Sequence, residues 1–171
     1  NLYLKPIIQQ TSKNKGTFYA DPARQLQLLI DLKTGSRETL AALVHQLAPY
    51  SALLAPKGSV KVVISGNTPD PTDFDQYPDF IFFDGRPSIS YTPAQLRRIG
   101  LISQSFSTYT HWNGKGILVE KDRQAVEQVI HQVHSQGKKI RFWATPDHVN
   151  AWKILMNLGL DYLNTDRVTE L

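Results

Sequence analysis

Cysteine is absent from all 171 residues, which excludes disulfides and thiolate metal sites and selects neither an oxidising nor a reducing compartment. No apolar run approaches the roughly 18 residues of a membrane-spanning helix, so no transmembrane segment is expected. Neither a GxGxxG nor a GxxxxGK[ST] loop occurs, although a doubly wound nucleotide-binding sheet normally carries such a turn after an early strand. A basic stripe with interleaved aromatics is missing as well. The 19 Lys and Arg exceed the 15 Asp and Glu by four, but they are scattered apart from Lys138, Lys139 and Arg141. Nucleic acid is therefore not an expected partner. No initiator Met and no signal pattern open the chain, and NLYLKPII reads as the middle of a folded protein. A secreted or periplasmic protein is expected, with a signal or transit segment removed ahead of Asn1.

What is present is an alternation. Apolar, β-branched runs bounded by turn residues occur at 26–32, 60–65, 80–84, 101–106, 140–144 and 162–164, which predicts strands there. Between them, Leu40, Leu43, Val44 and Leu47 follow a candidate cap at Ser36, and Val126, Val129, Ile130 and Val133 end at Gly137. Both have helical spacing. Thr92-Pro93-Ala94-Gln95 reads as a capping box with proline at the first helical position, followed by inward-facing Leu96 and Ile99. Asp147 is placed to cap a helix whose buried face carries Trp152, Leu155 and Met156 and which Gly159 stops.

Strand-helix alternation implies a parallel sheet, because parallel neighbours need a crossover and the crossover is usually a helix. The expected fold is α/β, a TIM-type (β/α)8 barrel represented by about six β/α units. Six units in 171 residues scale to roughly 230 for eight, near the ~250 typical of such barrels. Residues 1–171 would then be a single C-terminal portion of the barrel, with two units lacking. The Pro- and Asp-rich stretch 66–78 is a long loop after a strand, and 107–116 is a second. Loops of that length are often functional.

In a barrel the C-terminal strand ends carry the active site. The run LLIDLKT ends on Asp31 and Lys33, which period-2 alternation puts on one face while Ile30 and Leu32 pack outward on helices. A carboxylate and an ammonium at a barrel mouth can hold a divalent cation and a phosphate oxygen. The alternative is a buried Asp–Lys ion pair that only fills the barrel. Trp143 faces the mouth, where it can pack on the apolar part of a substrate or serve as a rim aromatic. Arg141, deeper on that face, requires a carboxylate partner and has a structural rather than a catalytic role. Asp84 and Arg86 in FFDGR can bind a polar head group or form a turn, and Asn164 and Asp166 end the last predicted strand, Asp166 as a cap. His131 and His134, three apart on a helix, read as a solvated face rather than a metal site.

The motifs LLIDLKT, KVVISG, IRFWATPD and DYLNTDRV, in that order over residues 26–168, resemble strands of the glycerophosphodiester phosphodiesterase and phosphatidylinositol phospholipase C superfamily. ISGN and RFWATPD are most similar to its bacterial branch. The resemblance implies that Asp31 is a metal-binding carboxylate, standing where many relatives have Glu, and that Lys33 is catalytic. It places Ser65 at the small hydroxyl that ends the next strand, and Ser65, Asp84, Arg86, Trp143 and Asn164 make the substrate-binding set. A divalent cation, Mg²⁺ or Ca²⁺, is the implied cofactor, and a small phosphodiester or lipid head group the implied substrate.

In the superfamily an earlier strand bears a catalytic His and the next a Glu-x-Asp metal pair and a second His. These have no counterpart among His45, His111, His131, His134 and His148. The expectation is that they lie upstream of Asn1, in a missing N-terminal segment or its cleaved piece, and that these residues alone are inactive. The reading is metal-dependent hydrolysis of a glycerophosphodiester or phosphoinositide-like substrate. Two alternatives remain: a non-catalytic barrel that binds a phosphorylated ligand, and another TIM-barrel enzyme such as a sugar isomerase or a glycosidase, for which Asp31 and Asp84 could supply the two carboxyls.

Overall fold

The computed structural model describes residues 2–54 and 56–170, and of Ser36 the backbone only. The chain divides into two compact units, Asn1–Asp84 with Tyr91–Gly100, and Gly85–Ser90 with Leu101–Leu171.

The first unit contains α1 (Leu4–Lys13), β1 (Leu26–Leu32), α2 (Ser36–Leu47), α3 (Ser51–Leu54), β2 (Val60–Gly66), β3 (Ile81–Gly85, its last residue in the second unit) and α4 (Pro93–Arg98). β1, β2 and β3 are parallel neighbours in chain order. Leu26 stands opposite Val60, Asp31 opposite Ser65, and Val62 opposite Ile81. The unbroken run Val62, Val63 and Ile64 is fully buried, as expected of a parallel strand covered on both faces. Leu40 and Leu47 of α2 are buried as their spacing predicts. The Ser36 side chain, expected to cap this helix, lies outside the described residues; the helix begins at Ser36 with Gly35 at its N-cap.

The loop between β2 and β3 is ordered by a 3-10 turn at Pro71–Gln76, where Asp70 accepts from the Thr72 amide and hydroxyl. Those bonds hold the Asp70 carboxyl below its ordinary range. Phe74 in the turn stacks on Phe83 at 4.0 Å. Arg98, at the end of α4, clamps the approach to β3 by donating from Nη2 to the carbonyls of Tyr77, Pro78 and Ile81 at 3.1, 2.8 and 3.0 Å. The predicted capping box starts α4: Thr92 accepts from the Gln95 amide, and the Gln95 side chain accepts from the Thr92 amide.

The second unit contains β4 (Ile99–Ser105, its first two residues in the first unit), α5 (Glu120–Ser135), β5 (Ile140–Trp143) and α6 (Val149–Asn157). β4 and β5 are parallel, with Ile102 opposite Ile140 and Ser105 opposite Trp143. α5 buries Val126, Val129, Ile130 and Val133, the predicted stripe. It stops before Gly137, whose φ of 67° suits glycine. Thus an α/β arrangement of parallel strands is what the alternation foretold.

Three expectations are corrected, and one element is new. The sixth strand reduces to an isolated parallel bridge between Arg141 and Tyr162; three residues leading into polar Asn-Thr-Asp give a ladder little to build on. The N-cap of α6 is His148 rather than Asp147, because the Asp147 carboxylate accepts instead from Trp152 Nε1 and the Asp166 amide, both at 3.0 Å. Met156 is 49% exposed, since Ala151, Trp152 and Leu155 centre the buried face and Met156 lies roughly 90° from their mean direction at 3.6 residues per turn. Lastly, α1 was not expected. Ile7 and Thr11 anchor it, and Pro6 falls within the first turn, where a missing N–H costs nothing.

Candidate functional site

Parallel strands in register direct paired residues to the same face. Asp31 and Ser65 are such a pair, each the penultimate residue of its strand. Ser65 donates its hydroxyl to Asp84 Oδ2 at 2.6 Å, and both side chains are buried. Asp84 is in turn penultimate in β3. The C-terminal ends of β1, β2 and β3 therefore carry Asp31, Ser65 and Asp84 in a row.

Lys33 follows directly and its ammonium meets Asp31 Oδ2 at 2.5 Å, with side chains 81% and 47% exposed. The pair sits at the surface end of β1. It does not fill an interior. Gly66, just after Ser65, has φ 76°, and a Cβ there would fall 2.2 Å from Asp31 Oδ1 and 2.4 Å from the Leu32 carbonyl oxygen. Glycine is thus required for the backbone of β2 to pass beside the Asp31 carboxylate.

In the second unit the Arg86 guanidinium lies over the Trp143 ring, 5.1 Å from its centroid, and Arg86 Nη1 donates to the Gly85 carbonyl at 2.8 Å. Such a stack is worth roughly 0.5–2 kcal/mol depending on exposure. Arg141 donates from Nε and Nη2 to Asn164 Oδ1 at 3.2 and 2.7 Å. The Asn164 carbonyl accepts from the Thr145 hydroxyl at 3.2 Å. Ala144, between Trp143 and Thr145, has φ 55°, a strained conformation for a residue with a Cβ. Strain of that kind beside a candidate site is a signal that residue types alone do not carry.

Sequence reasoning also missed the His134–Asp161 contact at 2.8 Å; the same Asp161 oxygen accepts from the Ile140 amide. One side of helix α5 is tied to the start of β5 by it. A further carboxylate, Asp147, is held below the ordinary range chiefly by the Thr165 hydroxyl, with the Asp166 amide, the Trp152 indole and Arg167 assisting against burial. Because its folded pKa is depressed, the stabilisation is complete above the ordinary aspartate value of about 3.9 and is lost as pH falls through the lowered one. Acid titration followed at the Trp152 indole N–H by NMR should show this loosening. Asp147→Asn should abolish the step, and a step that survives the substitution belongs to another group.

Among the described residues no group of three or more His, Asp or Glu side chains could hold a metal ion. Asp31 directs one oxygen at Lys33, whereas Ca²⁺ takes six to eight oxygen ligands and Mg²⁺ an octahedral set. The described donors therefore do not complete a divalent-cation site.

These features can be set beside known proteins. The glycerophosphoryl diester phosphodiesterase family matches residues 139–169, the stretch from β5 through Asn164. The chain is also similar to altered inheritance of mitochondria protein 6 of Eremothecium gossypii, with 29% identity over 213 aligned positions. That similarity covers 96% of this chain and 53% of the relative, so the chain spans about half the length of the curated protein it matches. No solved structure matches it. The family match falls on the segment that carries Trp143, Ala144 and Asn164.

Proposed function

We propose that this chain is part of a phosphodiesterase acting on a small glycerophosphodiester or a phosphoinositide-like head group. The observation that carries the reading is the family match over residues 139–169. The row of Asp31, Ser65 and Asp84 at parallel strand ends supports it. In this reading Lys33 binds a nonbridging phosphate oxygen and offsets charge that builds up as the phosphodiester is cleaved. Ser65, oriented by its bond to Asp84, would contact the substrate, and the family resemblance assigns Arg86, Trp143 and Asn164 to substrate binding as well.

A divalent cation, Mg²⁺ or Ca²⁺, would supply Lewis-acid stabilisation. Asp31 would give it a single oxygen, the other ligands and the acid-base histidines coming from further sequence of a longer protein. The placement in a bacterial branch rests on ISGN and RFWATPD.

The test is hydrolysis by the full-length protein of glycerophosphocholine, phosphatidylinositol and bis(p-nitrophenyl) phosphate, each with Mg²⁺, Ca²⁺ or chelator. Cleavage of at least one, abolished by chelator, is expected. If none is cleaved with either metal, the phosphodiesterase reading gives way to that of a barrel binding a phosphorylated ligand.

A further inference from the structure

The connection from β4 to α5 breaks two rules of a soluble surface at once. Ile117 is 87% exposed and Val119 60% exposed, while Leu118 between them is buried. Val119 is moreover the N-cap of α5 and makes no side-chain cap bond, although Ser, Thr, Asp or Asn would stabilise that position. Choosing apolar side chains where polar ones would serve the fold better marks a place that answers to something outside it.

The exposure is built in rather than a matter of slack. Trp112 Nε1 donates to the Lys115 carbonyl at 2.8 Å, closing the loop on itself. From α6, Asn150 Nδ2 reaches the carbonyls of Gly114 and Gly116 at 2.7 and 3.1 Å. Gly114, at φ 86°, packs so closely on His148 that a Cβ would lie 2.3 Å from its Nε2. The loop is thus held in one shape with Ile117 and Val119 outward. Next to Asn150, Val149 is 45% exposed.

The charges beside these side chains indicate what covers them. Glu120 is engaged by Arg123 at 2.9 Å, and Asp122 accepts from the Thr110 hydroxyl at 2.5 Å. Lys115 and Lys121 are exposed, and among the described residues neither ammonium forms an ion pair with a nearby carboxylate. Two aliphatic side chains flanked by two available cations complement an anionic, apolar-cored surface. Because β4 and β5 are parallel, the loop leaves from the same end of the strand pair as Trp143.

We propose that residues 112–121 form a docking loop for an anionic phospholipid surface, with Ile117 and Val119 inserting and Lys115 and Lys121 meeting the head groups. The assignment goes beyond the phosphodiesterase reading and does not depend on it, since a protein that cleaves nothing would still sediment with vesicles.

The experiment is co-sedimentation of the protein with phosphatidylcholine vesicles, with and without phosphatidylserine. The protein should bind the phosphatidylserine-containing vesicles. The double substitution Ile117→Ser with Val119→Ser should lower that affinity on the order of a hundredfold. Its melting temperature should hold or rise, because Val119→Ser adds a capping hydroxyl. Lys115→Ala with Lys121→Ala should cost about fivefold per lysine, and only where phosphatidylserine is present. Absence of sedimentation overturns the proposal in favour of a protein partner, and wild-type binding by the Ile117/Val119 variant overturns the insertion. Indifference to phosphatidylserine overturns the anionic assignment.

Discussion

Lys33→Met should lower turnover by a factor on the order of 10² in the full-length protein, the scale of removing one donor that stabilises developing negative charge. Its melting temperature should barely move. The reason lies in exposure: Lys33 and Asp31 are 81% and 47% exposed, and ion pairs in that setting contribute about 0–1 kcal/mol. The substitution removes the ammonium and keeps the aliphatic stem, so packing is little disturbed. Asp31→Asn should leave the fold equally intact, lower activity and raise the cation concentration needed to support it, since hard cations rely on anionic oxygens. Parallel kinetics and melting curves of both variants give the answer. Turnover that stays at the wild-type level in Lys33→Met would remove that residue from the reaction and leave the pair as surface decoration.

The contrast with Ser65 and Asp84 explains why Lys33 is the cleaner probe. Those two are buried and bonded to one another, so truncating either strands a polar group and confounds activity with stability, at about 1–3 kcal/mol. A loss of activity in Asp84→Ala would carry no message by itself.

How much of this could be read beforehand follows from the range of each signal. Five of the six strand positions came within one or two residues because buried parallel strands are written as local apolar runs such as Val62-Val63-Ile64. Helix faces came from spacing, and the error at Met156 arose because a stripe read from four-residue steps leaves its edge undefined. The α1 helix escaped because Gln9, Gln10, Ser12 and Lys13 hide an anchor of only two buried residues, Ile7 and the hydroxyl-bearing Thr11. The bond between Ser65 and Asp84 was beyond reach. It spans 19 residues and depends on the register of β2 with β3, which the Pro71–Gln76 turn and the Arg98 clamp together impose. The stack of Arg86 on Trp143 and the φ of Ala144 are long-range in the same sense. Nothing in an alanine asks for a left-handed backbone; the surrounding fold demands it.

Gly66→Ala should be the most damaging single methyl in the first unit. A residue with a Cβ at φ 76° carries a penalty of about 1–2 kcal/mol. The added carbon would also lie 2.2 Å from Asp31 Oδ1 and 2.4 Å from the Leu32 carbonyl oxygen. A side-chain carboxylate can rotate away, but the carbonyl belongs to the β1 backbone, which pairs Leu32 with Gly66 in the ladder. Overpacking of that kind costs typically 1–3 kcal/mol, and the two costs together come to about 2–5 kcal/mol. Relief by rotating Asp31 would pull its carboxylate off Lys33. Activity should therefore fall even at temperatures where the variant remains folded, and Lys33→Met added to Gly66→Ala should lower it by much less than on the wild-type background. Chemical denaturation and a double-mutant kinetic cycle read the two effects separately. A variant that melts with the wild type would mean that β1 and β2 are not held as close at Gly66 as the structure has them. Independent, additive kinetic losses would mean that Gly66 does not act through the placement of Asp31.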